Sequence, residues 1–201
     1  MKLKSRLIGI SGKKQSGKNE TAKIILQEYP YFEKKAFADP LKKFLSSCFN
    51  VPVEKFEYEK FKSQIMPDKW QVVLPNKTLS KRTVRWYLTN TGTNALRNEV
   101  HTNFWVNALS SEFTKDSYWV ISDVRYLNEA QWIKDNNGII IRVERNKKYE
   151  SSDGWHSSEN SLDGYPDFDH VIHNDSNKQT LKKKVLLILN SYKNDNPPLN
   201  S

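Results

Sequence analysis

The sequence predicts an α/β fold: a doubly wound, mainly parallel sheet covered by helices on both faces. Three observations carry that expectation. A β-rich run, Leu7 to Ser11, ends at a glycine and passes through a short loop into a helical pattern. Further short apolar runs then alternate with amphipathic stretches, as parallel strands joined by crossover helices require. Two of those runs, Tyr118 to Ser122 and Ile139 to Val143, have the composition of strands buried on both faces.

The elements follow in order. After the first strand, Ala22, Ile25 and Leu26 give helical spacing from Asn19 to Tyr29. Phe37 to Asp39 reads as the end of a second, short strand. Pro40 then stands at a favourable first-turn position, and Leu41, Phe44, Leu45 and Phe49 form an apolar stripe. Residues 51–81 contain Pro52, Pro67 and Pro75 with mixed periodicity, which predicts a short helix and an irregular excursion. Helical pattern resumes near Thr83, breaks around Gly92 and returns from Asn103 to Thr114. The strand Tyr118 to Ser122 stops at Asp123. Leu127 to Asp135 is a helix ended by Asn136-Asn137-Gly138, and Ile139 to Val143 is the next strand. Arg145 to Phe168 is polar, with Gly154, Gly164 and Pro166, and reads as a long loop or flap. Val171-Ile172 marks a last strand and Leu181 to Tyr192 a closing helix. Residues 1–193 thus form one domain, and the tail 194–201, with two prolines, is expected to fray.

Composition bounds the class. With 201 residues, 37% hydrophobic and 27% charged, the chain suits one domain with a true core. Val185 to Leu189, the longest apolar run, is far too short to span a bilayer, and no signal peptide pattern opens the chain. Cys48 is the single cysteine, so no intrachain disulfide forms, which fits a reducing cytoplasm, a host's if the chain is viral. The net charge of +9 asks for an anionic partner or a solvated lysine surface such as Lys182 to Lys184. Nucleic acid and a substrate carrying several phosphates would both serve.

The residues Gly12-Lys13-Lys14-Gln15-Ser16-Gly17-Lys18 fit the first seven positions of a phosphate loop, between a predicted strand and a predicted helix. The glycines let backbone N–H groups curl inward onto phosphate oxygens, and the helix adds its positive N-terminal end. Lys18 is placed to reach the β- and γ-phosphates of ATP. The next position usually carries a hydroxyl that meets Mg²⁺, and here it is Asn19, whose amide oxygen can hold the ion or one of its waters. Thr21 stands about 200° further round the helix and is no simple substitute. Gly12, Lys14, Gln15, Ser16, Gly17, Lys18, Asn19, Glu20 and Thr21 are the expected nucleotide contacts.

Phosphoryl transfer between two anions needs positive charge at its centre. Arg85, Arg125, Arg142 and Arg145 are the candidates. Arg125 lies two residues after Asp123 at a predicted strand end, where open α/β sheets place ligands. Its structural alternative is a tie to Asp123 or Glu129, and that of Arg85 is a solvated helix surface. Asp123 and Asn19 are the candidate metal contacts. Asp39 either caps the helix beginning at Pro40 or meets substrate, with Lys42 on the same first turn. Trp105 and Tyr87 either stack on a base or fill the core. His156 and Glu159 lie in the flap. His170 and His173 fall on opposite faces of a strand, so a metal site with His156 and Cys48 is not expected.

Taken together, Gly12 to Ala22, Phe37 to Lys43, Thr83 to Thr93, Phe104 to Leu109, Val120 to Glu129, Ile139 to Arg145 and His156 to Asn174 occur in an order that resembles the deoxynucleoside monophosphate kinases of T-even and related phages. The resemblance runs from Leu7 to about Leu189. It implies a nucleoside monophosphate kinase fold with a helical substrate-binding part at about 40–115 and a lid at about 145–168. It implies ATP with Mg²⁺ as cofactors and a deoxynucleoside monophosphate as acceptor. Lys18, Arg125, Asp123 and Arg85 would then be catalytic. Asp39, Lys42, Arg85, Gly92, Thr93, Trp105, Arg125, Glu129 and His156 would contact the acceptor. The family usually has Asp at position 19, Thr at 20 and often Arg at 15, where this chain has Asn19, Glu20 and Gln15. Neither stable nucleic-acid binding nor a membrane is expected, and a homodimer is left open. The rival readings are a kinase of the dephospho-coenzyme A or phosphomevalonate type, a basic nucleic-acid-binding module, and a phosphate-loop protein without catalysis.

Overall fold

Strands β1 (Leu7–Ser11), β2 (Glu33–Lys35), β3 (Trp119–Val124), β4 (Ile139–Glu144) and β5 (His170–His173) form one sheet in a computed structural model that describes residues 2–145 and 161–193. The strand order is β2-β3-β1-β4-β5 and every neighbouring pair is parallel. β1 is therefore central, with Ile8 opposite Val120 on one side and Ile139 on the other.

Helices α1 (Lys18–Glu28) and α7 (Lys178–Ser191) cover one face. Their Ile24, Ile25, Leu181, Val185 and Leu189 pack with Ile8, Ile10, Ile141 and Val143 in one buried cluster. Each such side chain contributes about 1.5–3 kcal/mol on full burial. Gly9 points to the opposite face, because successive strand residues alternate, and there it meets Ile133 of α6 (Leu127–Asp135). The sheet is thus sandwiched between helices. The terminator of α6 behaves as its sequence suggests: Asn137 takes a left-handed φ of 56° and the Gly138 N–H returns to the Ile133 carbonyl at 2.8 Å.

The chain divides into two compact units, Met1–Phe37 with Glu112–Ser201, and Ala38–Ser111. The second is helical. It contains α2 (Asp39–Phe49), a 3₁₀ turn at Val53–Glu57, α3 (Glu59–Lys62), a 3₁₀ turn at Asp68–Trp70, α4 (Val84–Thr89), a π-wound stretch at Asn90–Val100 and α5 (Phe104–Ser110). Its own core joins Leu41, Leu45, Phe49, Phe56, Met66, Val84 and Trp105. The excursion between α3 and α4 is closed by short antiparallel bridges, Ile65 to Thr83 and Val73 to Leu79.

Three expectations are corrected. The second strand lies at Glu33–Lys35, not at Phe37 to Asp39. It is an edge strand of charged residues, so hydrophobic pattern does not mark it, and the buried Phe37 follows it to pack on Trp132. Asp39 does not cap α2: Ala38 holds the cap position, and the Asp39 carboxylate pairs with Lys42 one turn on, at 3.3 Å. The helix does not break at Gly92 but continues as π-helix through it. The missing side chain admits Leu41, whose Cδ2 would lie 2.6 Å from a Cβ placed there.

Most of the expected flap, including His156 and Glu159, and the tail 194–201 lie outside the described residues. Among the described residues, no helix is long and apolar enough to cross a membrane.

Candidate active site

The site grows from the carboxyl end of β1. Ser11 closes the strand, residues 12–17 form the loop, and Lys18 opens α1, whose first helical bond runs from the Thr21 N–H to the Gly17 carbonyl at 2.9 Å. The loop needs its glycines. Gly12 has φ 148° and a Cβ there would sit 2.3 Å from the Val143 carbonyl oxygen; Gly17 has φ 113° and a Cβ would sit 2.4 Å from Asn174 Nδ2. Both conformations belong to the left-handed half of the map that side chains disfavour. Gln15 also takes a positive φ, 62°.

Lys18 folds back over this loop. Its ammonium donates to the carbonyl of Lys13 at 2.7 Å and also to that of Gly12. The hydroxyls of Ser16 in the loop and of Thr21 inside α1 are buried and have no hydrogen-bond partner among the described residues. An orphaned buried hydroxyl costs about 1–3 kcal/mol, so the loop holds Ser16 at an energetic cost. Glu20 is paired with Lys178 of α7 at 2.7 Å, so its charge is offset by a cation beside it. Asn19 and Lys14 are exposed.

Two neighbours hold the loop that sequence reading did not identify. Asn174, buried after β5, donates from Nδ2 to the Ser16 carbonyl at 2.8 Å. Asp163 lies 2.8 Å from Lys13 Nζ and accepts from Arg142 of β4 at 2.9 Å. Both fall in or beside the His156 to Asn174 segment, whose order carried the resemblance without assigning either residue a task.

At the carboxyl end of β3, the Asp123 carboxylate accepts from the Phe37 N–H at 2.8 Å and so pins the chain leaving β2. The position is beside the phosphate-loop strand, since Ser11 pairs with Val124. Arg125 follows, its N–H bonded to Glu129 at 2.8 Å and its carbonyl receiving the Ser161 hydroxyl. Glu129 is 2% exposed, and its carboxylate takes the N–H groups of Arg125 and Tyr126 at 2.8 and 3.1 Å. This is a helix-capping task. Arg142, expected near phosphate, is buried with its guanidinium on Ser11 Oγ at 3.1 Å and on Asp163.

The remaining candidates lie in the helical unit. Lys42 Nζ meets Glu57 at 2.6 Å as well as Asp39. Arg85 pairs with Glu59. Burial works to raise the Glu59 carboxyl, but Lys62 and Arg85 outweigh it and hold the group below its ordinary range. Trp105 is buried, edge-on to Phe104, with its indole N–H donating to the Gly92 carbonyl at 2.7 Å. The core alternative, not a base platform, describes that placement. Tyr87 likewise packs on Phe49 and donates to the Trp70 carbonyl. Thr93 is partly buried on the π-helix beyond Gly92. Arg97, on the same π-helix, is a buried arginine that pattern reading overlooked.

Asn19 and Asp123 offer hard oxygen donors of the type Mg²⁺ takes. Among the described residues there is no cluster of three or more His, Cys, Asp or Glu able to hold a metal ion.

A family model described as deoxynucleotide monophosphate kinase matches residues 6–70 and 54–185. A protein of Acanthamoeba polyphaga mimivirus that carries the provisional name deoxynucleotide monophosphate kinase is 30% identical over 185 residues, covering 90% of this chain and 94% of that protein. Among solved structures, dephospho-CoA kinase from Campylobacter jejuni is similar with a TM-score of 0.51 at 12% identity, over 93% of this chain and 96% of that one, a likeness of fold.

Proposed function

The chain belongs to the deoxynucleotide monophosphate kinase family, and from that premise we propose that it moves the γ-phosphoryl group of ATP onto a deoxynucleoside monophosphate, releasing ADP and the deoxynucleoside diphosphate. The observation that carries this reading is the phosphate loop, with two glycines in conformations other residues disfavour, the orphaned Ser16 hydroxyl and the Lys18 ammonium lying on the loop's own carbonyls.

The loop's N–H groups and the start of α1 would take the β- and γ-phosphates. Lys18 would exchange the carbonyls of Gly12 and Lys13 for phosphate oxygens, bringing a full charge to where negative charge accumulates. An oxygen of the acceptor's phosphate attacks the γ-phosphorus while the bond to the β–γ bridging oxygen breaks. That oxygen is already anionic, so no side chain has to remove a proton. Arg125, set at the end of β3, is assigned the developing charge between the two nucleotides. Asn19 and Asp123, with water, would hold Mg²⁺, which supplies further neutralisation when bound. The helical unit is assigned the acceptor through Asp39, Lys42, Arg85, Gly92 and Thr93, with Trp105 bracing Gly92 from the core.

A coupled assay with Mg-ATP and a panel of deoxy- and ribonucleoside monophosphates tests this. Formation of deoxynucleoside diphosphate is the expected result. Turnover of dephospho-coenzyme A or phosphomevalonate with no nucleotide product would overturn it, as would binding of nucleic acid with no transfer.

A further inference from the structure

Gly12 has its two flanks tied down from outside the loop. Ser11, before it, receives the buried guanidinium of Arg142 at 3.1 Å; Lys13, after it, lies 2.8 Å from Asp163. Asp163 joins the two ties, because its other carboxylate oxygen accepts from the same Arg142 at 2.9 Å. Gly12 itself has no freedom to drift toward β4, since the Val143 carbonyl is already against it. The carbonyls of Gly12 and Lys13 are the seats of the Lys18 ammonium.

We propose that Asp163 is a positioning residue for the phosphate loop, setting through Lys13 and Arg142 where Lys18 stands when ATP arrives. The inference rests on the ATP-using function proposed above. The Arg142 side chain is 7% exposed, so its charge needs a close counter-charge. Glu144 forms a longer ion pair, 3.7 Å from Nε, and among the described residues Nε has no hydrogen-bond partner. Among the described residues Asp163 is therefore the carboxylate hydrogen-bonded to the guanidinium, which in turn holds Ser11 at the end of β1. Its second oxygen pairs with the half-exposed Lys13 Nζ at 2.8 Å, so the same carboxylate reaches the loop on both sides of Gly12.

The test is equilibrium binding of ATP together with thermal unfolding for wild type, Asp163→Asn and Asp163→Glu. For Asp163→Asn the dissociation constant and the KM for ATP are expected to rise about tenfold, the size of one charge-assisted contact, with kcat at saturating ATP falling much less. Asp163→Glu keeps the charge and should recover part of the affinity. Asp169→Asn serves as the control, because Asp169 bonds Lys134 and the Ile140 N–H without touching the loop; it should lower the melting temperature and leave ATP affinity alone. Wild-type affinity in a cooler-melting Asp163→Asn would overturn the proposal. If that variant does not fold, Ser11→Ala, which cuts the Arg142 tie without removing a charge, decides in the same way: weaker ATP binding supports it and unchanged binding overturns it. A wild-type protein that binds no ATP would fail the functional reading first, and this inference with it.

Discussion

The side-chain amide of Asn174 donates to the backbone carbonyl of Ser16 at 2.8 Å, across 158 positions of sequence. The bond is buried, so it joins the turn after β5 to the middle of the phosphate loop where water cannot replace it. Asn174→Ala is expected to destabilise the fold by about 1–3 kcal/mol, the cost of stranding a buried acceptor, and to weaken ATP binding. Asn174→Asp should do worse, because a carboxylate would face that carbonyl. Thermal unfolding with nucleotide titration reads both.

Gly17→Ala meets the same residue from the other side. Its φ of 113° is costly for alanine, about 1–3 kcal/mol, and its new methyl would press on Asn174 Nδ2. Nδ2 cannot move off without giving up Ser16. The double variant Gly17→Ala with Asn174→Ala should therefore lose less stability than the two single losses added together, a coupling that a thermodynamic cycle measures.

Lys18→Ala removes the cation seated on the Gly12 and Lys13 carbonyls while leaving the apolar core untouched. Turnover should fall by orders of magnitude with the melting temperature nearly unchanged. Near wild-type turnover would sink the assignment of Lys18.

Arg125→Lys separates charge from shape. A lysine keeps the positive charge but loses the planar fork that grips two oxygens. A fall in kcat of at least about tenfold is expected, roughly 1.4 kcal/mol of barrier, with ATP affinity changed much less. The contact from Arg125 to Glu129 runs through the backbone N–H, which lysine preserves. Full turnover in this variant would remove Arg125 from the chemistry.

Glu59 gives a pH test in the helical unit. Its carboxyl, although burial pushes it up, is held below 4.5 by Lys62 and Arg85. A depressed carboxyl contributes its stability above the unfolded value, and that contribution disappears as pH falls through the lower folded one. Carboxyl titration by NMR should place the Glu59 midpoint below 4.5, and Arg85→Met should move it upward.

Local features of the site were legible in sequence, and remote ones were not. Gly12 to Lys18 is contiguous, so strand, turn and helix signals could be read at one place. β1, β3 and β4 announce themselves as apolar runs because both their faces are buried. β2 carries Glu33, Lys34 and Lys35 on a sheet edge, and no hydrophobic pattern marks such a strand. The π-helix escaped because Gly92 reads as a breaker, whereas Leu41 turns the missing side chain into packing space. The capping role of Glu129 has no sequence flag, since its partners are backbone N–H groups and the cap residue is Tyr126, not the Ser or Thr that marks a capping box. Asp163 and Asn174 act on residues brought near by sheet order, and no local spacing encodes that. The resemblance that the ordered motifs carry and the family match agree over most of the chain.

β1 sits at the middle of the sheet, with β3 and β4 as its partners. A ribosome releases Leu7–Ser11 more than a hundred residues before the strands that pair with it, since Leu7 finds its partner at Trp119 and Ile8 at Ile139. Until those residues emerge, the strand that carries the nucleotide loop waits as an uncovered apolar ribbon, the kind of segment that nascent-chain chaperones shield. Such distant pairing also slows closure of the sheet. Refolding from denaturant should accordingly show the helical unit, whose contacts are local, gaining structure before the phosphate loop does.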